Sequence, residues 1–219
     1  ITMRVLSNES QDSSRTLSRN DRRRQRTRQQ LLQAVETLVL SDGYEDTSAE
    51  TIAELADLGR STFYNHFDNK EDAVLSTLTE RFKQYGKAAY VPLNQLQDRR
   101  LSIAKSGLSI FKAMAHDPLT AQLINKPTLL VQAVSDSQGD FLIADLTEGV
   151  KQGHFNFIMS LDSLVSALTW GFTGLLIYAV NNDSVETTGI EVCKFTLLNI
   201  GLSHQEIESV ISQIVRDAP

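Results

Sequence analysis

The sequence predicts an all-α protein, and three observations carry that prediction. Apolar residues recur at helical spacing, only four prolines interrupt the 219 residues, and no run alternates convincingly as a strand. Apolar residues make up 41% of the chain and charged residues 22%, which is the composition of an ordinary globular protein. Wholly disordered, collagen-like and disulfide-stapled classes are thereby excluded.

Positive charge is concentrated near the N-terminus. The Arg-rich segment, residues 15–28, holds seven arginines and one acid, although the whole chain has a net charge of −6. A basic N-terminal segment on an otherwise acidic chain indicates an anionic partner; the alternative is that the segment only aids solubility. We expect a disordered polar arm over residues 1–21, a small helical domain over 22–87 and a larger helical domain over 88–219.

The small domain is predicted to begin with a helix from Arg22 or Thr27 to Ser41. Its apolar residues fall on one face of the helix: Leu31, Ala34, Val35, Leu38 and Val39. Gly43 suits the left-handed conformation that ends a helix. A short second helix is expected from Ser48 to Leu55 or Ala56, capped by Thr47 with Glu50 or by Ser48. Third and fourth helices are predicted over residues 60–67 and from Lys70 to about Lys87.

Six further helices are predicted in the larger domain. Their expected ranges are 98–116, 119–125, 128–149, 160–180, 186–200 and 203–216. The boundary between the two domains is placed between Tyr85 and Pro92.

Helices two and three have the spacing of a helix-turn-helix, the third being the candidate recognition helix. Phe63 and Phe67 are four residues apart and are predicted to point inward, while none of the remaining residues from Arg60 to His66 is acidic. Arg and Asn can pair with purine edges, and hydroxyl groups favour phosphate oxygens. We expect Lys70, at the start of the next helix, to reach a phosphate.

These residues also carry a resemblance to a known family. The segments Thr27-Arg28, Gly43-Tyr44, Thr47-Ser48, Ile52-Ala53 and the run from Gly59 to Glu71 resemble the DNA-binding region of TetR-type transcriptional regulators. The resemblance covers about residues 27–75. It implies an all-helical homodimer whose first three helices bind DNA, whose C-terminal helices hold a small-molecule pocket, and whose last two long helices form a four-helix interface.

Site residues follow from the resemblance position by position. It places Thr62, Tyr64 and His66 at DNA-contacting positions, Arg60 and Ser61 at the start of the recognition helix, Lys70 at a phosphate-contacting position and Ser48 at an N-cap. Arg28 and Asn65 complete the DNA-binding set. Asp57 stands where the family has a turn glycine, and Gly59 where it has a Ser or Thr cap; both changes are tolerable.

The predicted helix over residues 160–180 is apolar on two sides, and the helix over 186–200 behaves similarly. One side of each would face its own core and the other a second subunit, which predicts a homodimer through these two helices. A two-fold dimer would bind an inverted-repeat operator. Candidate pocket residues for a lipophilic or aromatic effector are Phe111, Met114, Leu130, Phe141, Trp170 and Tyr178.

Other classes are disfavoured. No phosphate loop, nucleophile elbow or zinc-protease motif is present, so we expect no enzyme, and no cofactor or metal, since His116 and His154 lack partners at ligand spacing. Residues 163–182 are uncharged and long enough to span a bilayer, but their polar side chains and acidic flanks favour a buried helix.

The single Cys193 is expected to be a buried thiol, and residues 1–14 lack the apolar region of a secretory signal, which together favour a cytoplasmic protein. The sequence therefore predicts a DNA-binding transcriptional regulator, most simply a repressor released by its effector. The alternative is a DNA-bound scaffold whose C-terminal domain recruits a protein partner.

Overall fold

The computed structural model describes residues 18–93 and 96–217, and every regular element in these ranges is a helix. In chain order the helices are α1 (Arg19–Ser41), α2 (Ala49–Leu55), α3 (Arg60–Tyr64), α4 (Lys70–Leu93), α5 (Arg99–Ala115), α6 (Pro118–Gln122), α7 (Pro127–Lys151), α8 (Leu161–Asn181), α9 (Val185–Asn199) and α10 (His204–Arg216). The all-α prediction is confirmed.

α1 begins earlier than predicted. Ser18 caps it by accepting a hydrogen bond from the backbone of Asp21, whose side chain accepts in return from the backbone of Ser18. Residues 19–21 are therefore helical rather than part of a disordered arm, while residues 1–17 of that predicted arm lie outside the described residues. The helix ends as expected before Gly43, which has φ +87°.

α2 is capped by Ser48 rather than by Thr47. Ser48 and Thr51 form the reciprocal pair of hydrogen bonds, whereas the Thr47 hydroxyl donates to the Gly43 carbonyl. The turn to α3 passes through Asp57, whose φ of 54° fits the tolerance expected of aspartate there.

α4 is longer than predicted and joins the two halves of the molecule. It runs without a break to Leu93, so the boundary expected between residues 87 and 88 falls inside a helix. Its N-terminal part contacts α1, and the same helix packs against α5 and α7. A displacement of α4 would therefore reach both halves.

The C-terminal helices pack around two apolar clusters. One is continuous from α1–α4 into α5, α7 and α8, and the other lies among α5, α7, α8, α9 and α10. Cys193 is buried in the second, and burial raises the pKa of its thiol to about 12. Among the described helices, α8 is long and apolar enough to cross a membrane, and here it packs against α7 and α9.

Candidate functional site

The candidate recognition helix α3 is held to the protein by two phenylalanines. Phe63 and Phe67 are 0% and 2% exposed, and their ring centroids are 5.6 Å apart. Although α3 ends at Tyr64, the backbone N–H of Phe67 still donates to the carbonyl of Phe63 at 3.0 Å, which keeps both rings on one side. The predicted inward orientation of these two residues is confirmed.

The opposite side of α3 faces solvent. Ser61, Tyr64 and Asn65 are exposed, and Thr62 and His66 are half-buried. Burial, followed by the positive charges of Arg24 and Arg28, holds the pKa of His66 below its usual range. Apart from Arg60, the outer face of α3 and the two residues after it therefore present uncharged polar groups at neutral pH.

Arg60, the first residue of α3, is exposed but not free. Its guanidinium lies 2.7 Å from Oε1 of Glu50 on α2 and 5.6 Å from the ring centroid of Tyr64. Both partners are themselves exposed, so this ion pair is weak and can be exchanged for a stronger anion.

Two predicted contact residues have structural partners in this conformation. The guanidinium of Arg28 lies 4.6 Å from the ring centroid of Phe67 and 3.6 Å from Glu80 on α4. Ser48 serves as the N-cap of α2. Arg28 thus packs on the buried anchor of α3, and Ser48 stabilises the start of α2.

Lys70 is placed differently from the sequence expectation. Its Nζ donates to the carbonyls of Tyr44 and Glu45 at 2.9 and 3.4 Å, and lies 4.3 Å from the Tyr44 ring centroid. Lys126, just before α7, lies on the same ring and forms an ion pair with Glu45 at 2.6 Å. In this conformation the Lys70 ammonium is directed at the turn between α1 and α2.

The Arg-rich segment continues the candidate interface along α1. The exposed arginines of this helix in the described residues are Arg19, Arg22, Arg23, Arg24 and Arg26. Because residues 19–28 are helical, these side chains are spread around a rod rather than along a flexible arm.

A polar cluster joins α1, α4 and α6. Arg81 on α4 forms ion pairs with buried Asp117 and, at 2.6 Å, with Glu36 on α1. Tyr85 donates to the same carboxylate at 2.6 Å, and Asp117 also caps α6 through the backbone N–H of Leu119. The sequence carries no signal of this link, because its members are far apart along the chain and show no local pattern.

The second candidate site is a cavity of about 100 Å³ between α4, α5, α7, α8 and α9. Its walls are mostly apolar, and the side chains that matter for its chemistry are Tyr90, Ile103, Gln138, Phe141, Asp145 and Phe172. Of the six pocket residues predicted from sequence, Phe141 alone lines this cavity.

The other five predicted pocket residues lie elsewhere. Phe111, Met114 and Leu130 are fully buried in the core, because the apolar face of each helix that carries them packs directly against a neighbour. Trp170 and Tyr178 are 53% and 56% exposed on the outer face of α8. Gln138 and Asp145, which do line the cavity, were missed because single polar residues in an amphipathic helix ordinarily face solvent.

The outer faces of α8 and α9 carry exposed apolar side chains. Besides the two aromatic residues on α8, Leu198 on α9 is 63% exposed. Each of these three side chains leaves a large apolar area in contact with solvent. Within the described residues no group of three metal-ligating side chains is close enough to hold an ion.

Comparisons with known proteins agree with this geometry. A family described as bacterial regulatory proteins, tetR family, matches residues 31–76, which contain α2 and α3. The HTH-type transcriptional regulator TcmR of Streptomyces glaucescens is 40% identical over 58 residues, 26% of either chain. The segment that contains α2 and α3 is therefore similar to the DNA-binding region of tetR-family regulators.

Over a longer stretch, the chain is similar to proteins of the same general size. The transcriptional repressor KstR of Rhodococcus jostii is 27% identical over 124 residues, 57% of either chain. The two matches thus span about a quarter and somewhat over half of these relatives' lengths. The structure of RolR in complex with resorcinol superposes with a TM-score of 0.72 at 22% identity, covering 88% of this chain and 96% of that one.

Proposed function

We propose that this chain binds operator DNA as a sequence-specific transcriptional regulator. The observation that carries the proposal is α3, whose inner face is fixed by Phe63 and Phe67 while its outer face offers Ser61, Tyr64 and Asn65. A helix that is anchored on one side and free of carboxylates on the other fits the major groove.

The surrounding residues support an anionic partner. Asn65 and Arg60 have the donors that recognise purine edges, and the exposed arginines of α1 supply phosphate contacts without sequence preference. Arg60 would exchange Glu50 for the duplex. A phosphate contact by Lys70, still part of the proposal, requires its ammonium to leave the Tyr44 carbonyl.

We further propose a homodimer through α8 and α9. The exposed apolar face with Trp170, Tyr178 and Leu198 supports it, because burial of such side chains drives stable association. Two-fold pairing would place the recognition helices on half-sites separated by about 34 Å, one turn of the duplex, and so predicts an inverted-repeat operator.

The effector in this proposal is a small lipophilic or aromatic molecule in the cavity. In another protein a cavity of about 150 Å³ takes up benzene, so a space of about 100 Å³ is of single-ring size with slight adjustment. That the similarly folded RolR binds resorcinol supports a ligand of this size.

Repression with release by the effector follows if the ligand prefers the conformation that cannot bind DNA. α4 lines the cavity through Gly86 and Tyr90 and reaches α1 through Arg81, so it can carry the displacement. The cavity favours this effector-responsive regulator over the scaffold that recruits a protein partner. In this proposal the protein acts in the cytoplasm and catalyses no reaction.

The test is selection of bound duplexes from a random DNA pool by the purified full-length protein. We expect an inverted repeat to be enriched, and an Asn65→Ala variant to keep the spacing of the half-sites while losing preference at individual bases. Recovery of no common sequence, or of a sequence without two-fold symmetry, would contradict the proposal.

A further inference from the structure

Asp145 is a buried carboxylate in the wall of the cavity. It lies on α7 and is 5% exposed, and its Oδ1 receives no hydrogen bond from the described residues. Burial raises the pKa of this carboxyl, an effect that Arg99 partly opposes. A buried acceptor without a donor is costly, so its presence beside a cavity requires an explanation.

Arg99, at the start of α5, presents the complementary donor. Its Nη1 lies 3.6 Å from Oδ1 of Asp145, which is an ion pair at a distance too long for a hydrogen bond. Its Nε–H is buried and has no acceptor in the described residues. The two side chains thus form an ion pair in which Oδ1 of Asp145 and Nε of Arg99 each lack a hydrogen-bond partner among the described residues.

A hydroxyl group in the cavity satisfies the free acceptor of Asp145. Its O–H donates to Oδ1 of the carboxylate, while Arg99, the ion-pair partner of that carboxylate, balances its charge. Charge balance points the same way: the pair is neutral as a whole, so a carboxylate ligand would be repelled by Asp145 and an ammonium would leave an unbalanced positive charge.

We propose that Asp145, whose charge Arg99 balances, binds a hydroxyl group of the effector, which is therefore a compact neutral phenol or aromatic alcohol. This inference rests on the proposed ligand-binding role of the cavity and specifies the chemical class of the ligand. The ring has suitable walls, since Tyr90 and Phe141 lie with centroids 5.0 Å apart and Phe172 and Ile103 complete the apolar lining.

The first experiment measures direct binding to the full-length protein, without DNA, by calorimetry. The probes are phenol, the three dihydroxybenzenes, toluene and benzoate. We expect phenol to bind about 10- to 100-fold more tightly than toluene, the effect of a hydrogen bond to a charged group, and benzoate to bind no better than toluene. At least one dihydroxybenzene should equal phenol.

Two variants locate the preference. Asp145→Leu should bring the affinity for phenol down to that for toluene, whereas Leu142→Val, a change in the same wall without a polar atom, should leave the ratio of the two affinities unchanged. Should Asp145→Leu fail to fold, the double variant Arg99→Met with Asp145→Leu removes both charges together, and its phenol-to-toluene ratio gives the same comparison.

Equal affinities for phenol and toluene in the wild type would show that water satisfies the pair, and would overturn the proposal. Tighter binding of benzoate would overturn it as well. Neither result bears on duplex selection, which tests the regulator separately. Selective phenol binding that leaves operator affinity unchanged would confirm the hydroxyl site and contradict the release of DNA by the effector.

Discussion

The recognition surface of α3 and the cavity differ in how the chain builds them. The first is made by residues within one short stretch, 60–67, and is fixed by two buried rings. The second takes its wall from five helices between Gly86 and Thr196. A site made by one anchored helix keeps its shape when the body moves, whereas a site between helices changes shape whenever one of them shifts. This difference suits the first to recognition and the second to response.

The cluster of Arg81, Asp117 and Glu36 lies between the two sites. Because Arg81 on α4 pairs with both buried Asp117 and Glu36 on α1, a shift of α4 near the cavity would strain its ion pair with α1. Interfaces of this kind tend to have discrete arrangements rather than a continuous range. The two sites are thus joined by one helix and by one buried carboxylate.

The largest effect is expected from comparing a buried anchoring residue of α3 with an exposed residue of the same helix. Phe63→Ala should lower the free energy of unfolding by about 3–5 kcal/mol, because it empties a fully buried site. Its neighbour Tyr64→Ala should change stability little, since the ring is 46% exposed, yet weaken binding to every duplex. Urea unfolding and DNA titration measure the two quantities. Loss of stability in both variants would mean that α3 has no free face.

The next largest effect concerns the pairing of subunits. Trp170→Asp should weaken the proposed dimer by about 2–4 kcal/mol, the range for a central aromatic anchor, as measured by sedimentation at several protein concentrations. Val215→Asp, on the exposed side of α10, is the matched control. Phenol binding should survive in both variants, since the cavity is lined by other residues of α8. An undiminished dimer in the Trp170 variant would exclude this face as the interface.

The features that the sequence predicts correctly are those set by interactions between residues close together in the chain. The helix-turn-helix, the cap at Gly43, the turn at Asp57 and the inward phenylalanines follow from periodicity and backbone preference. The cavity could not be predicted in this way, because periodicity shows that a helix face is apolar but not which other helix covers it. Phe111 and Trp170 look alike as members of apolar stripes, yet one is fully buried and the other lies on the surface. Asp145 has no signal at all until α5 and α7 are placed together.

A moderate effect is expected along α1. Arg22→Ala with Arg26→Ala should reduce the slope of log affinity against log salt by about 0.9 for each phosphate that is no longer neutralised, without changing the selected sequence. Lys151→Ala, an exposed cation on α7, should leave the slope unchanged. Titrations at several salt concentrations decide this, and a change of preferred sequence would place these arginines at base edges instead.

The smallest effect distinguishes two glycines in the cavity wall. A Cβ at Gly107 on α5 would meet no atom within 4 Å, whereas one at Gly86 on α4 would collide with the side-chain amide of Gln138. Gly107→Ala should therefore raise stability by up to about 1 kcal/mol through helix propensity while weakening phenol binding, because the methyl group occupies ligand space. Gly86→Ala should gain less stability than Gly107→Ala, because the Gln138 amide has to move and gives up its hydrogen bond to the Phe82 carbonyl. Thermal unfolding and calorimetry on this pair test whether the space among the helices is reserved for a ligand: a Gly107 variant that gains stability and loses no affinity would place the bound ring elsewhere.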